Sequence, residues 1–295
     1  MKQNWKPVLV TMATLAILAC GLVQSDTESA GDVATIVAAT LGAATASSPT
    51  QASIEPSPAG MAISFPGGGF VIPEGLAGSA SSETVLAVDG QSGGPWEVAP
   101  EYVKITLQGY ALQGKFFQPQ IMVYPAPEYA AASEGAANSI QRLQAILVNP
   151  SQVPENDHMP NLPYANAAQI IGAQAQVITL KGGHGLRVLA EYAQYYAQIN
   201  NHDLFYHFEG LTDDGRSYIV ATLPVTAPFL ATDSNPASIP PAGGVPFPGY
   251  EATDENLFVN YYRSVTDRLN ATSVDEFQPT ITSLDALMKS LEISP

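Results

Sequence analysis

The chain has 295 residues, with 27 acidic and 11 basic side chains that give a formal net charge of -16 at pH 7. Hydrophobic residues make up 46% of the sequence and charged residues 13%, which is sufficient for a packed core. Because like charges repel, this acidity argues against nucleic acid and against a bare anionic lipid surface as partners. It leaves cationic ligands, metals and basic protein faces open.

The first residues are typical of an export signal. Lys2 and Lys6 accompany an apolar run over 7-19 that is too short for a comfortable transmembrane helix. The run ends in Ile17-Leu18-Ala19-Cys20, which resembles the lipobox of bacterial lipoproteins, where a small residue precedes the cysteine that becomes lipidated. Cys20 is the only cysteine, so no disulfide can form within a monomer.

We therefore expect a signal peptide over 1-19 and a lipid anchor on Cys20, which would hold the protein outside the cytoplasm on a bacterial cell membrane. An ordinary secretory signal is the alternative. Residues 20-60 are rich in Ala, Ser, Thr and Pro and predict a flexible tether, because they offer too little apolar area to offset the entropy of ordering. Residues 61-295 are expected to form one globular domain.

The first half of this domain predicts strands followed by a helix. Short strands are expected at 63-65 and 70-72 around a glycine turn, and further ones at 83-88, 102-107 and 119-124. Ser133 is a predicted N-cap for a helix that runs to about residue 148. A Pro-rich insertion follows at 149-163, and then a short helix at 164-171.

The strongest structural signal is a hairpin around Thr212-Asp213-Asp214-Gly215. Leu204, Tyr206 and Phe208 alternate with Phe205, His207 and Glu209, and a second run with the same period of two follows over 218-223, which is typical of a strand. The turn residues tolerate the positive φ that a tight hairpin requires, so we expect the turn to fix the register. A second strand pair is predicted at 175-180 and 185-192, giving four antiparallel strands in a row.

The chain ends in a second Pro-rich insertion at 231-250 and two helices. Thr253 is the expected cap of the first helix, and Ser283 that of the second. The whole order predicts an α+β fold, an antiparallel β-sheet flanked by helices. It resembles the Mog1/PsbP-like α-β-α sandwich, and the likeness rests on residues 70-73, on 103-107 and 121-124 before the Ser133 helix, and on 284-293.

This resemblance implies a function but no site. Members of the PsbP-like group are commonly accessory or assembly proteins, so the likeness implies a role of that kind and assigns no functional residue. Residues 200-215 are also similar to uncharacterised exported bacterial proteins, a likeness that carries no activity.

A metal site is one hypothesis about chemistry. His207 and Glu209 are two residues apart on a predicted strand and share a face, and His202 lies just before that strand. Imidazole and carboxylate ligands suit Zn²⁺ or a similar ion. The alternative is a strand that simply turns these polar side chains to solvent, since no HxxxH or HExxH spacing occurs. Apart from this metal, no cofactor is expected.

A binding groove is the other hypothesis. Aromatic residues cluster in and around the connection between the two strand pairs, beside two asparagines whose amides suit recognition. A half-buried sheet would have the same composition. The binding residues predicted on this basis are Tyr192, Tyr195, Tyr196, Asn200, Asn201 and Tyr206. Glu191, Asp203 and Glu209 could act as an acid and base pair only if the fold brings two of them together.

From these patterns we expect a membrane-tethered extracytoplasmic lipoprotein. Its domain would act as a non-catalytic binding or accessory module for a protein partner or a small ligand. The alternative is a metal-dependent extracytoplasmic hydrolase that uses His202, His207 and Glu209.

Overall fold

Two antiparallel sheets carry the fold. The computed structural model describes residues 60-294, except 92-93, 95, 152-155, 164-165 and 236. The predicted signal peptide, Cys20 and the predicted tether up to residue 59 lie outside the described residues. The smaller sheet pairs β1 (Gly60–Phe65) with β2 (Gly68–Pro73), and β2 also pairs with the last strand, β10 (Glu292–Ile293).

The larger sheet has seven strands within the described residues. They are β3 (Ser79–Val85), β4 (Tyr102–Gln108), β5 (Gln120–Pro125), β6 (Ala168–Leu180), β7 (Gly183–Ala193), β8 (Phe205–Thr212) and β9 (Ser217–Pro224). Their order in space is β3-β4-β5-β9-β8-β7-β6, and every neighbouring pair is antiparallel. The predicted four-strand run therefore forms one half of this sheet, as β9-β8-β7-β6.

Helices cover both faces of the larger sheet. Helices α1 (Ala126–Ala132) and α2 (Glu134–Val148) pack on one face, and α3 (Glu255–Ala271) and α4 (Ile281–Ser290) on the other. Strand β9 shows the consequence. Its Tyr218 and Val220 are buried in the core under α1 and α2, whereas Ile219 and Ala221 are buried in the core under α3 and α4. Burial on both faces explains why β9 is almost entirely apolar. The α+β prediction, an antiparallel sheet flanked by helices, is confirmed.

The β8-β9 hairpin forms as predicted. Gly215 has a φ of 70°, which favours glycine, and its N–H donates to the carbonyl of Thr212 at 2.8 Å. The Asp214 carboxylate accepts hydrogen bonds from the Thr212 hydroxyl at 2.7 Å and from the Arg216 N–H at 3.0 Å. The turn is therefore held by its own residues, which is why the local sequence predicts it.

Several element boundaries differ from the prediction. Ser133 does cap α2, since its hydroxyl accepts from the Ala136 N–H at 3.3 Å. The caps of α3 and α4 are Asp254 and Thr280, so the predictions of Thr253 and Ser283 were wrong. In α4 the cap lies three residues before Ser283, and the Thr280 hydroxyl accepts a hydrogen bond from the Ser283 N–H at 3.1 Å. Strand β3 ends at Val85, three residues before the predicted end at residue 88.

Two predictions about helices were wrong. A short helix was expected at 164-171, but β6 begins at Ala168 because this segment pairs with β7, with register shifts that absorb its irregular pattern. Helix α1 was not predicted, since a strand was expected up to residue 124 and no helix before the one capped by Ser133. Pro127 lies in the first turn of α1. Backbone N–H groups in a first turn have no acceptor within the helix, so a proline, which lacks this group, is tolerated there. No helix in the described part of the chain has the length and hydropathy needed to cross a membrane.

Candidate functional site

A pocket of about 530 Å³ opens at the end of β7, where the chain leaves the larger sheet. We call it the strand-end pocket. Its lining comes from five parts of the chain: the segment before β5, the segment before β6, the end of β7, the connection from β7 to β8, and the loop after β9. The lining residues used below are Phe116, Phe117, Glu191, Tyr192, Tyr195, His202 and Asp203.

Glu191 is the most deeply buried polar residue of this lining. It lies near the end of β7 and its side chain is only 1% exposed. One carboxyl oxygen, Oε2, accepts from the backbone N–H of Asn200 at 3.0 Å, and the other, Oε1, accepts from Asn200 Nδ2 at 3.2 Å. Burial raises the pKa of Glu191 well above its usual range; the Asn200 N–H opposes this shift and the nearby charge of Asp203 adds to it.

Asn200 organises the connection between β7 and β8. It is fully buried, and its Oδ1 accepts from the N–H groups of His202 at 2.9 Å and Asp203 at 3.1 Å. Its Nδ2 also lies 2.8 Å from Asp203 Oδ2. One amide therefore joins the carboxyls of Glu191 and Asp203, which are twelve residues apart in the sequence. The fold thus brings together two of the three acids that were considered as a pair.

Asp203 and His202 form the polar rim of the strand-end pocket. Asp203 Oδ1 lies 2.5 Å from Nδ1 of His202, and both side chains are partly exposed. Because Asp203 Oδ2 faces Asn200, each of the four carboxyl oxygens of Glu191 and Asp203 already has a hydrogen-bond partner within the protein. These carboxyls are fixed in position by their surroundings.

The remaining wall is aromatic. Phe117 and Tyr192 both pack on Phe205, with ring centroids 4.2 Å and 5.6 Å from the Phe205 centroid. Two further rings, Phe116 and Tyr195, remain 66% and 63% exposed beside the opening. Large exposed aromatic side chains at the mouth of a concave site are typical of ligand recognition.

A second polar cluster lies in the core, on the α2 side of the sheet. Glu209 Oε1 accepts from the backbone N–H of Leu162 at 2.9 Å and lies 2.7 Å from His207 Nε2. The Tyr218 hydroxyl donates to the other oxygen of Glu209. Burial and the charge of Glu209 raise the pKa of Tyr218 well above its usual range. We call these three residues the buried triad: His207, Glu209 and Tyr218.

The predicted metal ligands are divided between these two places. His207 and Glu209 share a face, as predicted, but that face is buried under α2 and the two side chains are 3% and 1% exposed. The interpretation of these residues as turned to solvent is therefore wrong, because helices cover both faces of the sheet. His202 pairs with Asp203 in the strand-end pocket. Among the described residues, no three His, Cys, Asp or Glu side chains form a group that could hold a metal ion.

The predicted binding residues are also divided. Tyr192 and Tyr195 line the strand-end pocket, and Asn200 positions its carboxyls. Asn201 instead holds a neighbouring loop, since its side chain accepts from the Ala227 N–H at 2.8 Å.

The other two predicted tyrosines, Tyr196 and Tyr206, do not line the strand-end pocket. Tyr196 stacks on Phe258 of α3 with ring centroids 4.3 Å apart. Tyr206 belongs to the core on the opposite face, where its hydroxyl donates to Asp285 at 3.0 Å.

Phe116 and Phe117 are pocket residues that the sequence analysis missed. They lie in the turn-rich segment before β5, and the Phe116 N–H donates to the carbonyl of His202 at 3.0 Å. Two adjacent aromatic residues in a segment without strand or helix periodicity were the available signal. Comparisons with protein-family models, with curated proteins and with solved structures gave no match. The likenesses to lipoproteins and to the PsbP-like sandwich stay predictions.

Proposed function

We propose that this protein is a lipid-anchored extracytoplasmic binding protein that takes a small ligand into the strand-end pocket. The anchor rests on the sequence, where the single cysteine, Cys20, follows a signal-peptide pattern. The binding role rests on one structural observation. An aromatic pocket of about 530 Å³ holds a deeply buried carboxyl, that of Glu191, at the end of β7.

A small ligand is favoured over a protein partner by the shape of this site. Pockets for small molecules are concave, mostly apolar, and have a few fixed polar groups. The strand-end pocket combines the rings of Phe117 and Tyr192 with the carboxyls of Glu191 and Asp203. Its volume is also within the range of about 300 to 1,000 Å³ that is usual for such pockets.

Binding is favoured over catalysis by the hydrogen bonds of the acids. A catalytic acid or base must exchange a proton with the substrate at close range. Both oxygens of Glu191 face Asn200, and those of Asp203 face Asn200 and His202. These contacts suit two carboxyls that supply fixed polarity to a bound molecule.

Native mass spectrometry would test the binding role. The full chain would be purified gently from the membranes of its own source, beside a Tyr195→Leu variant prepared in the same way. We expect the wild-type protein to carry a small molecule at one per chain and the variant to carry less. If both proteins show the mass of the bare chain, and a second protein co-elutes, the small-ligand function is wrong.

Membrane fractionation would test the anchor. We expect Cys20→Ala to release the protein from the membrane fraction, because the lipidated side chain is lost. Ser25→Ala changes a nearby residue of the same segment and is the matched control, which should stay in the membrane. Retention of a correctly processed Cys20→Ala protein would contradict the anchor and would leave the binding role untouched.

A further inference from the structure

The charges around the strand-end pocket are acidic. Of the described residues that line it, Asp203 is an acid at the rim and none is a lysine or arginine, whereas burial raises the pKa of the second acid, Glu191, and favours its neutral form. Asp233 adds to this charge just before the lining residue Ser234. Hydrogen bonds from Ser238 and Asn235 lower its pKa, and the neighbouring His202 contributes in the same direction. The whole chain has a net charge of -16, so its field concentrates cations.

The aromatic rings supply a second kind of attraction for the same charge. Phe116, Phe117, Tyr192 and Tyr195 all line the pocket. The face of an aromatic ring carries partial negative charge and attracts a cation within about 6 Å of its centroid. Phe116 and Tyr195 are the most accessible of these rings, with 66% and 63% of their surface exposed.

The hydrogen bonds of the carboxyls decide between kinds of cation. A primary ammonium has three N–H donors and needs acceptors in the site. Each of the four oxygens of Glu191 and Asp203 already faces one donor, from Asn200 or the ring of His202. This leaves fewer free lone pairs for three further N–H donors, whereas the most exposed wall of the pocket is aromatic. A quaternary ammonium needs no acceptor, and aromatic faces with nearby negative charge are the surroundings that recognise it.

We infer that the strand-end pocket binds a small, soluble quaternary ammonium compound, held between Tyr195 and the other rings and attracted by Asp203. This inference rests on the proposed binding function and names its ligand class. A trimethylammonium group also occurs in lipid headgroups, where it is joined to a phosphate. The acidic rim would repel that phosphate, so a free solute fits the site better.

Isothermal titration calorimetry of the purified full chain would test the inference with choline chloride as the probe. The comparison compound is 3,3-dimethyl-1-butanol, which has the shape of choline with carbon in place of the charged nitrogen. We expect choline to bind at one per chain and the neutral compound to bind at least about 10-fold more weakly than choline. Phosphocholine should also bind more weakly than choline.

Two variants place the binding in the pocket. Tyr195→Leu and Asp203→Asn should each weaken choline binding about 3- to 30-fold, which is the usual range for losing a cation-π or charge contact. Tyr195 is largely exposed, so its replacement should leave the fold intact. Trp96→Leu and Asp213→Asn remove an aromatic and an acidic side chain elsewhere on the surface, and should bind choline as the wild type does.

The outcomes separate this inference from the proposed function. Equal binding of choline and its neutral analogue would overturn the quaternary ammonium inference, and so would choline binding that Tyr195→Leu leaves unchanged. If phosphocholine binds as tightly as choline, the assignment of a free solute as the ligand is wrong and a lipid headgroup is favoured instead. If choline fails to bind while the natural ligand is still lost in Tyr195→Leu, only the ligand class is wrong. If no ligand of any kind is found, both proposals are wrong.

Discussion

Asn200 holds both oxygens of Glu191, one with its backbone N–H at 3.0 Å and the other with its side-chain amide at 3.2 Å. The two residues are nine positions apart and both are buried. This contact closes the connection between β7 and β8 and fixes the position of the only deeply buried carboxyl among the described residues that line the strand-end pocket. The geometry of the pocket therefore depends on a single asparagine.

Replacing that asparagine should cost both stability and binding. Asn200→Ala removes the amide that faces Glu191 and Asp203 and leaves buried polar groups without partners, so we expect about 3 kcal/mol less free energy of unfolding. Urea denaturation of the full chain would measure it. Asn260→Ala, on the exposed face of α3, is the matched control and should change stability by less than about 0.5 kcal/mol. A loss at Asn200 no greater than at Asn260 would contradict the role given to this contact.

Glu191 should make stability depend on pH. Burial raises the pKa of Glu191 in the folded state above the unfolded value of about 4.3. Between these two pKa values the folded state binds more protons than the unfolded state. Stability is then highest below this window and falls as pH rises through it. A glutamine side chain cannot ionise, so the free energy of unfolding of the Glu191→Gln variant should fall less than that of the wild type over the same pH range.

Urea denaturation at about pH 4.5 and about pH 7.5 would measure this difference, within the range where acids titrate. The groups whose charges interact with Glu191 are Asp203 and the phenols of Tyr250, Tyr261 and Tyr262, and all of them stay in the variant. Glu255→Gln, at the exposed start of α3, is the control for losing one acid and should keep the wild-type pH dependence. Parallel pH dependence in Glu191→Gln and wild type would show that Glu191 does not titrate as described.

The sequence predicts those parts of the fold that are decided locally. The β8-β9 hairpin is held by Asp214 and Gly215 within the turn itself, and α2 starts at a serine that caps it. Helix α1 was missed because a proline in a first helical turn has the same local sequence as a proline that ends a strand. The α+β class was still predicted correctly, because missing one short helix does not change the overall order of strands and helices from which the class was predicted.

The candidate site was predicted only in part, because its contacts join distant segments. Tyr192 and Tyr195 could be proposed from their position in an aromatic connection, and both line the pocket. The contact of Phe116 with His202 spans residues that share no periodic pattern. Glu209 could not be recognised as a core residue, since its partner Leu162 lies in an irregular loop 47 residues away.

Arg187 offers a test of a buried ion pair. It is 1% exposed in the core between the sheet and α4, where its Nη2 lies 2.5 Å from Gln176 Oε1 and 3.4 Å from Asp285 Oδ2. Its Nε and Nη1 have no hydrogen-bond partner among the described residues. Burial raises the pKa of Asp285, and Arg187 opposes that shift. The desolvation of this pair is therefore poorly compensated.

Removing the two partners should have unequal effects. Arg187→Met keeps most of the volume and removes the unpaired donors, but it leaves the Asp285 carboxyl without its cation. Because Arg187 opposes the raised pKa of that carboxyl, Asp285 should then take up a proton, and we expect a loss of about 1 to 2 kcal/mol in the free energy of unfolding. Asp285→Ala leaves a buried guanidinium without its acid and should cost about 3 to 5 kcal/mol. Urea denaturation of both variants would measure the difference. If Arg187→Met lowers the free energy of unfolding as much as Asp285→Ala does, the contacts of Arg187 compensate its desolvation well.

The buried triad should act as a unit of stability. The Tyr218 hydroxyl donates to Glu209, which also faces His207 and the Leu162 N–H, so the carboxyl joins β8, β9 and the loop before β6. Tyr218→Phe removes one hydroxyl without changing the packing of the ring. We expect it to lower the free energy of unfolding by about 1 to 3 kcal/mol, since a buried acceptor loses its donor.

A double-mutant cycle would separate this contact from the general cost of each change. With Glu209→Gln in place, the tyrosine would no longer face a carboxylate, so Tyr218→Phe should cost about 1 kcal/mol less than it does in the wild type. Tyr195→Phe removes the hydroxyl of a largely exposed tyrosine and should have little effect on the free energy of unfolding in either background. Additive losses at Tyr218 and Glu209 would mean that the two residues stabilise the sheet independently. A clear coupling would instead show that the Tyr218 hydroxyl stabilises the sheet through its contact with the carboxyl of Glu209.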